Sequence, residues 1–382
     1  MRTKRATGRL DHKREHLSSG AHVQMHFLSR AEAPPAAAAP GLVRSIQYLR
    51  GVAALGVVVF HAADRAGGSF GVGAAGVDIF FVISGFIMWE VTCRRTPSPG
   101  AFLLRRAQRI VPLYWLITLG TAGLAIMAPA ALPAMRPTLA HVGQSLLFIP
   151  HFAPDGLIAP LIVPGWTLSY EIFFYLIFAF ALVAPARLRV WLVSAILAGC
   201  VLARPLGDAH SAVWTTFTDP ILLEFGAGVW LGWARSSDWL PGRRTAALLI
   251  GIALVALAWT AISAVDVSQA RVFLWGLPAA LLVTGFVSLE RHRGIPALPA
   301  MQLLGDASYS IYLIHGLAIS AVGRILKEST ALPAPATFAV ALVAGVLAGL
   351  LLYACLERPL SAWFTRNAAR PEAKALGGVR LG

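Results

Sequence analysis

Long apolar segments separated by short polar ones fill the chain from residue 45 onward. As helices rising 1.5 Å per residue, these segments can cross a hydrocarbon core of about 30 Å. The pattern predicts an all-α fold, a polytopic membrane helical bundle of about ten transmembrane helices. The predicted spans are residues 45–63, 77–93, 110–129, 165–184, 188–203, 215–234, 245–264, 272–289, 303–323 and 335–355. A further apolar stretch, 138–150, is too short to span and is predicted to be re-entrant or interfacial.

Composition agrees with a membrane protein. The 382 residues are 57% hydrophobic and 13% charged, against roughly 25% charged residues in an average soluble domain. The mean hydropathy is +0.69. A soluble fold needs a polar outer surface that this sequence cannot supply, whereas helices in a bilayer can be apolar on every face.

The formal charge of +14 does not indicate nucleic-acid binding, because the basic residues lie in short runs between apolar segments and are not gathered on one domain. With the N-terminus in the cytoplasm, 26 of the 32 Lys and Arg residues fall in inside segments and 6 in outside segments. This bias predicts that both termini are cytoplasmic. The expected location is the cell inner (plasma) membrane. No internal repeat supports an inverted-repeat transporter.

The termini differ in composition from the middle of the chain. Residues 1–43 are basic and then rich in Ala and Pro, which predicts a disordered cytoplasmic tail without the apolar core of a signal peptide. Translation could start at Met1 or Met25. Residues 44–365 are predicted to form the membrane domain, and residues 366–382 a second disordered cytoplasmic tail.

Ionisable side chains inside predicted spans are costly and are therefore functional candidates. Arg50 and His61 are 11 residues apart, on one face of the first span and roughly 16 Å apart along its axis. Asp78 lies near the outer end of the second span, and Glu171 about two turns inside the outer edge of the fourth. A histidine with carboxylates suits removal of a proton from an acceptor. Interfacial snorkelling, an N-cap at Asp78 and a structural ion pair at Glu171 are the alternatives.

A second set of charged residues lies toward the cytoplasm. Arg105, Arg106 and Arg109 lead into the third span, and Arg358 follows the last span. Together with Arg50 they would form a cationic inner mouth suited to a cytosolic polyphosphate. The alternative is that they are positive-inside anchors.

The remaining polar residues carry weaker signals. His315, at mid-depth of the ninth span, is either a packed, hydrogen-bonded histidine or a site residue. Ser84 is predicted to be a small packing residue and not a nucleophile. The three cysteines have no metal-ligand spacing, so no metal site is expected. They are Cys93, Cys200 and Cys355.

In its ordered motifs the chain resembles acyltransferase family 3, the membrane O-acyltransferases that modify exopolysaccharides, O-antigens and nodulation factors. The resemblance covers about residues 44–365, and the opening RSIQYLRGVAALGVVVFHA is most similar to the exopolysaccharide-production branch. The matching runs are Arg50-x10-His61, GVDIFFVISGF at 76–86, RRAQRIVPLYW at 105–115, PGWTLSYEIFFY at 164–175 (which contains Trp166), LGDASYSIYLIH at 304–315 and ERP at 357–359.

The resemblance implies transfer of an acyl group, usually acetyl, from cytosolic acyl-CoA to a sugar hydroxyl of a polysaccharide or lipid-linked oligosaccharide. Acetyl-CoA would be a co-substrate, and no bound cofactor is expected. His61 would be the catalytic base, while Arg50 and the 105–109 run would contact the donor. Glu171 and His315 match further motif positions of the family.

Three alternatives stay open from the sequence. The chain could be a non-catalytic exporter or flippase for a glycan or lipid. It could be an acyltransferase with another donor, such as succinyl-CoA, or with a lipid acceptor. Direct transfer to the acceptor is the preferred mechanism, because no Cys or Ser is flanked like an activated nucleophile, but an acyl-histidine intermediate is the other route.

Overall fold

The computed structural model describes residues 43–377 apart from 131, 133, 134, 264, 269, 330 and 331. The side chains of 326–329 and 368–377 are also outside the description. The predicted N-terminal tail therefore lies outside the described residues except for Val43. In the predicted C-terminal tail the backbone is helical as far as Gly377, and the disorder of both tails stays a prediction.

The regular elements of the described chain are helical, with one isolated β-bridge between Phe152 and Ile158. Helix α10 is preceded by a π-helical turn, Val272–Gly276, and α14 by another, Tyr353–Glu357. A 3-10 turn, Gly71–Ala75, leads into α2. The helices are α1 Arg44–Arg65, α2 Gly76–Cys93, α3 Pro99–Met127, α4 Leu139–Leu146, α5 Gly165–Ala181, α6 Ala186–Ala203, α7 Ala212–Phe217, α8 Leu222–Ser236, α9 Arg243–Ser263, α10 Leu277–Arg293, α11 Pro299–Asp306, α12 Ser308–Ser329, α13 Ala334–Leu352 and α14 Arg358–Gly377.

Seven helical segments of the described chain are long and apolar enough to cross a membrane. The predicted all-helical, multi-pass architecture is confirmed in this form, and the count of ten is not. The three predicted spans outside the seven correspond to α5, α8 and α12. Helix α5 has 17 residues. Helix α8 has 15 residues because a turn at Asp219 separates it from α7. The carboxylate of Asp219 accepts a hydrogen bond from the backbone of Ile221 in this turn. The seven segments are Arg44–Arg65, Gly71–Cys93, Pro99–Met127, Ala186–Leu206, Arg243–Ser263, Val272–Arg293 and Ala334–Asn367.

Polar contacts between helix ends define two faces of the bundle. On the first, the start of α1 meets the end of α10, where the Ser45 hydroxyl donates to Glu290 over 2.6 Å. The ends of α2 and α8 meet on the same side through an ion pair between Glu90 and Arg235. We call this side the Arg44 face. The opposite side, the His61 face, contains the end of α1 and the starts of α2 and α5, where Arg271 pairs with Asp78.

Helix α2 lies at the centre of the bundle and packs closely on α8. A Cβ atom at Gly85 would lie 2.0 Å from the Phe225 carbonyl oxygen, and one at Gly228 would lie 1.9 Å from that of Val82. Only glycine allows the two backbones to approach so closely. The packing fixes the depth at which the side chains of α2, including those of the site, meet their neighbours.

Candidate functional site

A cavity of about 90 Å³ lies among α1, α2, α3, α5 and α12. Its polar wall brings together residues from five separate sequence motifs, and the rest of its lining is apolar or aromatic. We call it the arginine cavity. Its polar and tyrosine lining consists of Arg50, Ser84, Arg106, Arg109, Thr167, Glu171, Tyr175, Ser308, Tyr309 and Tyr312.

Arg50 is held in the cavity wall by a chain of hydrogen bonds. The residue is buried, and its guanidinium donates to the Gln47 side chain over 2.7 Å. The amide of Gln47 in turn donates to Asp306 over 2.7 Å, and Gln302 donates to the same carboxylate oxygen over 3.0 Å. Because the Gln47–Asp306 bond ties this chain on α1 to α11, Arg50 is positioned before any ligand arrives.

Glu357 completes the charge around this wall. It lies within electrostatic range of Arg50 and Arg109, and its carboxylate accepts a hydrogen bond from Ser310 over 2.5 Å. Sequence reasoning missed Gln47, Asp306 and Glu357 as site residues. Asp306 and Glu357 lie inside runs that carry the family resemblance. Their place in those runs was the sequence signal that could have identified them as site residues.

The basic run of α3 divides into two groups. Arg106 and Arg109, three residues apart on one helix face, line the cavity, whereas Arg105 lies outside its lining. Arg105 and Arg109 are both exposed. Arg358 is likewise exposed and outside the lining. The structure therefore brings two of the three predicted arginines of α3 to Arg50. Glu357, and not the predicted Arg358, also lies near Arg50.

The structure places Glu171 with the arginines and not with His61. Its carboxylate accepts hydrogen bonds from Tyr175 and, over 3.3 Å, from Ser84. Six residues along α5 from Gly165 correspond to about 9 Å of depth, so Glu171 reaches the middle of α2. Glu171 therefore lies in the arginine cavity, and not with His61 and Asp78, with which the sequence analysis grouped it. Ser84 is more than a packing residue, because it is a hydrogen-bond partner of that carboxylate.

His61 and His315 lie side by side, with ring centroids 5.0 Å apart. His315 is 1% exposed, and its Nδ1 is 2.7 Å from the Tyr312 carbonyl oxygen. A carbonyl only accepts, so Nδ1 carries the proton, and the Nε2 of the neutral ring is free to accept one. This Nε2 has no hydrogen-bond partner within the described structure. His61 is half-buried and more accessible than His315.

Tyr312 joins the histidine pair to the arginine cavity. It lines the cavity, and its ring centroid is 5.9 Å from that of His315. No hydrogen bond among the described residues joins His61 to a carboxylate, which the sequence had led us to expect. The imidazole that faces His61 belongs instead to His315, whose sequence signal was weak.

Asp78 lies on the His61 face in a paired and fully buried position. Arg271 forms a two-pronged interaction with it, with distances of 3.1 Å from Nε and 2.8 Å from the terminal nitrogen. Glu224, 2% exposed, lies beside the pair. Arg271 also lies 5.8 Å from the ring centroid of Trp166. Sequence reasoning missed Arg271 and Glu224, although Arg271 is one of few basic residues in predicted outside segments.

Comparison with known proteins gives consistent matches. The family model for the acyltransferase domain matches residues 43–354. The exopolysaccharide production protein ExoZ of Rhizobium meliloti (strain 1021) is 42% identical over 335 residues, which cover 84% of this chain and 99% of that protein. The acyltransferase MdmB of Streptomyces mycarofaciens is 28% identical, covering 88% and 96%. The peptidoglycan O-acetyltransferase OatA of Listeria monocytogenes serovar 1/2a is 27% identical, covering 75% and 50%. No solved structure gives a significant match.

Proposed function

Because the chain belongs to the acyltransferase domain family, we propose that it moves an acyl group, normally acetyl, from cytosolic acyl-CoA to a sugar hydroxyl of an extracellular or lipid-linked polysaccharide. The chain is a multi-pass membrane protein and an acyltransferase that transfers groups other than amino-acyl groups. One observation carries the proposed donor and acceptor. Arg50, Arg106 and Arg109 converge on one cavity, and Tyr312 in the wall of that cavity contacts His315 of the histidine pair.

The proposed topology has ten crossings of the inner membrane, with both termini in the cytoplasm. Contacts between the ends of α1, α2, α8 and α10 lie on the Arg44 face or the His61 face, and the proposal has α5, α8 and α12 cross as well. The excess of Lys and Arg in segments of the Arg44 face favours a cytoplasmic position for that face. The arginine cavity would then be reached from the cytoplasm and His61 from outside.

The arginine cavity suits the donor. Guanidinium groups bind phosphate oxygens through charge-assisted, often paired hydrogen bonds. Arg106 supports this role because its Nε is buried without a hydrogen-bond partner in the described structure. The volume of about 90 Å³ is too small for a nucleotide, so the cavity would admit the narrow thioester arm while the phosphates stay at the mouth.

The histidine pair suits the acceptor. If the free Nε2 of His315 accepts a hydrogen bond from the N–H of His61, the other nitrogen of His61 is unprotonated and can act as a general base. The sugar oxygen would lose its proton to His61 and bond to the thioester carbonyl carbon. The C–S bond would then break, and the CoA sulfur would leave as a thiolate that takes up a proton.

The class of acceptor follows from the relatives. ExoZ is named for exopolysaccharide production and OatA as a peptidoglycan O-acetyltransferase. The greater identity and coverage of ExoZ favour an exopolysaccharide. The main alternative, a non-catalytic exporter, is disfavoured by the family. A non-acetyl donor or a lipid acceptor is the second candidate within the family.

The overall proposal can be tested on cells with and without the gene. We expect surface polysaccharide from cells with the gene to carry one additional acetyl group on a proportion of its repeating units, which mass spectrometry detects as a fixed mass difference. Restoring the gene should restore the difference. Identical polysaccharide masses in both strains would contradict the proposal, and a different fixed mass would identify another acyl donor.

The donor assignment predicts a difference between neighbouring arginines. Arg109→Ala or Arg106→Ala should raise the apparent KM for acetyl-CoA by about tenfold or more, because a charged hydrogen bond is worth roughly 1.5–3 kcal/mol. The KM for the acceptor should change little. The matched control is Arg105→Ala, which removes the same charge from the same helix outside the cavity. Equal effects of all three substitutions would show that net charge, and not the cavity, governs donor use.

A further inference from the structure

We propose that a second cavity, on the His61 face, is the acceptor site and holds one neutral sugar ring of the glycan. The inference rests on the proposed function, since it supplies the binding site for the acceptor in that reaction. The cavity has a volume of about 230 Å³. Pockets that enclose a whole drug-sized ligand are roughly 300–1,000 Å³, so this one suits a single ring with the rest of the chain outside.

We call this space the outer cavity. Its walls come from α4, the segment that follows α4, the start of α5, the end of α7 and the turn before α8. These segments end on the face that holds Asp78 and Arg271, because Trp166 of α5 contacts Arg271 there. The residues that line it are Gln144, Ser145, Phe148, Ile149, Pro150, His151, Ile158, Ala159, Pro160, Trp166, Ser169, Tyr170, Thr215, Thr216 and Asp219.

Aromatic side chains form one part of the lining. The rings of Trp166 and Tyr170 meet edge to face with centroids 5.8 Å apart. Phe148 is held in a left-handed backbone conformation, φ 58°, that is rarely adopted by residues with a side chain, and its ring stacks on Tyr114. Such strained backbone is concentrated at functional sites. Tyr and Trp combine an apolar body with a polar group, which suits the alternating C–H and O–H groups of a sugar.

His151 supplies a hydrogen-bond acceptor that the fold leaves unused. The residue is 7% exposed, and its Nδ1 is 2.7 Å from the Ile149 carbonyl oxygen. Because a carbonyl only accepts, Nδ1 carries the proton and the Nε2 of the neutral ring is an acceptor. This Nε2 has no partner within the described structure. A buried, unsatisfied acceptor costs free energy, and a sugar hydroxyl would satisfy it.

The polar lining also selects the class of ligand. Among the described residues, no Lys or Arg lines the outer cavity, which disfavours a phosphate or another anion. The carboxylate of Asp219 is already paired with Arg204 over 3.3 Å and accepts from the backbone of Ile221, whereas Gln144 offers an amide that both donates and accepts. Next to His151, burial and the neighbouring imidazole lower the pKa of His141, which favours the neutral form of His141. A neutral ligand rich in hydroxyl groups fits this set better than an ion or an acyl chain.

The test uses purified protein in detergent and de-O-acylated repeat-unit oligosaccharides from the surface polysaccharide of the source strain, with no acyl donor present. Binding is followed by saturation-transfer NMR. We expect His151→Phe and Gln144→Leu each to weaken oligosaccharide binding by about tenfold or more. His151→Gln, which keeps a polar group near the position of Nε2, should retain most of the affinity. His210→Phe is the matched control, because His210 is exposed near the same face and outside the lining.

Unchanged binding in folded His151→Phe or Gln144→Leu protein would overturn the proposal, as would the absence of binding to the wild type. Displacement of the oligosaccharide by a short-chain phospholipid with equal affinity would overturn it in favour of a lipid acceptor. Transfer from acetyl-CoA is measured separately. Specific binding without transfer would support the outer cavity and contradict the proposed function. Two independent substitutions keep the test decisive if one variant does not fold.

Discussion

Replacing His61 with alanine is expected to lower the rate of acyl transfer by roughly 10²–10⁴-fold, the usual contribution of a positioned general base. The half-buried imidazole lies 5.0 Å from the ring of His315, and no hydrogen bond within the described chain makes it part of the fold. The variant should therefore reach the membrane in normal amounts and bind acetyl-CoA normally. Transfer of radiolabelled acetyl groups to surface polysaccharide measures the effect.

Two further variants separate the roles of the histidines. His315→Gln keeps a hydrogen-bonding group beside His61, so it should lower the rate less than His315→Phe does. His61→Gln should be as inactive as His61→Ala, because an amide cannot accept the sugar proton. If His61→Ala retains acetylation near the wild-type level, the proposed base is wrong. A covalent acyl-enzyme in wild-type protein, absent from His61→Ala, would instead indicate an acyl-histidine route.

The sequence predicted the architecture well because its signal is strong and local. Twenty apolar residues in a row specify a spanning helix almost independently of their neighbours, so each of the ten predicted spans corresponds to a helix. The differences come from short local breaks. The turn at Asp219 shortens α8, and the short helix α11 ends at Asp306, so α12 begins at Ser308. A sliding average of hydropathy does not resolve such breaks.

The site was predicted only in part because its geometry depends on helix rotation and depth. The family motifs located Arg50, His61 and Glu171, but the spacing of residues along one helix cannot show which neighbouring helix they face. Glu171 was therefore grouped with His61, whereas it lines the arginine cavity. The partners of Asp78 were missed for the same reason: Arg271 is 193 residues away in the chain, and nothing local links the two.

Substituting Arg271 is expected to destabilise the protein by about 3–5 kcal/mol, the usual cost of breaking a buried ion pair by removing one partner. Asp78 is fully buried, and Arg271 is a quarter exposed. Arg271→Gln leaves the carboxylate of Asp78 without a cation, with Glu224 beside it. The loss of unfolding free energy is measured in detergent, where intrinsic fluorescence follows unfolding by temperature and by denaturant. Arg291→Gln is the control, because its pair with Asp238 is exposed and should be worth about 0–1 kcal/mol.

The double variant Asp78→Asn/Arg271→Gln decides what Asp78 contributes. It replaces the ion pair by two amides that can hydrogen-bond, so it should recover much of the stability that Arg271→Gln loses. If Asp78 only fixes Arg271 and, through it, Trp166, the recovered protein should also regain acyl transfer. If stability returns and transfer does not, then the carboxylate takes part in the reaction, as the sequence alone suggested. A loss for Arg271→Gln no larger than that for Arg291→Gln would show that the pair does not hold this face together.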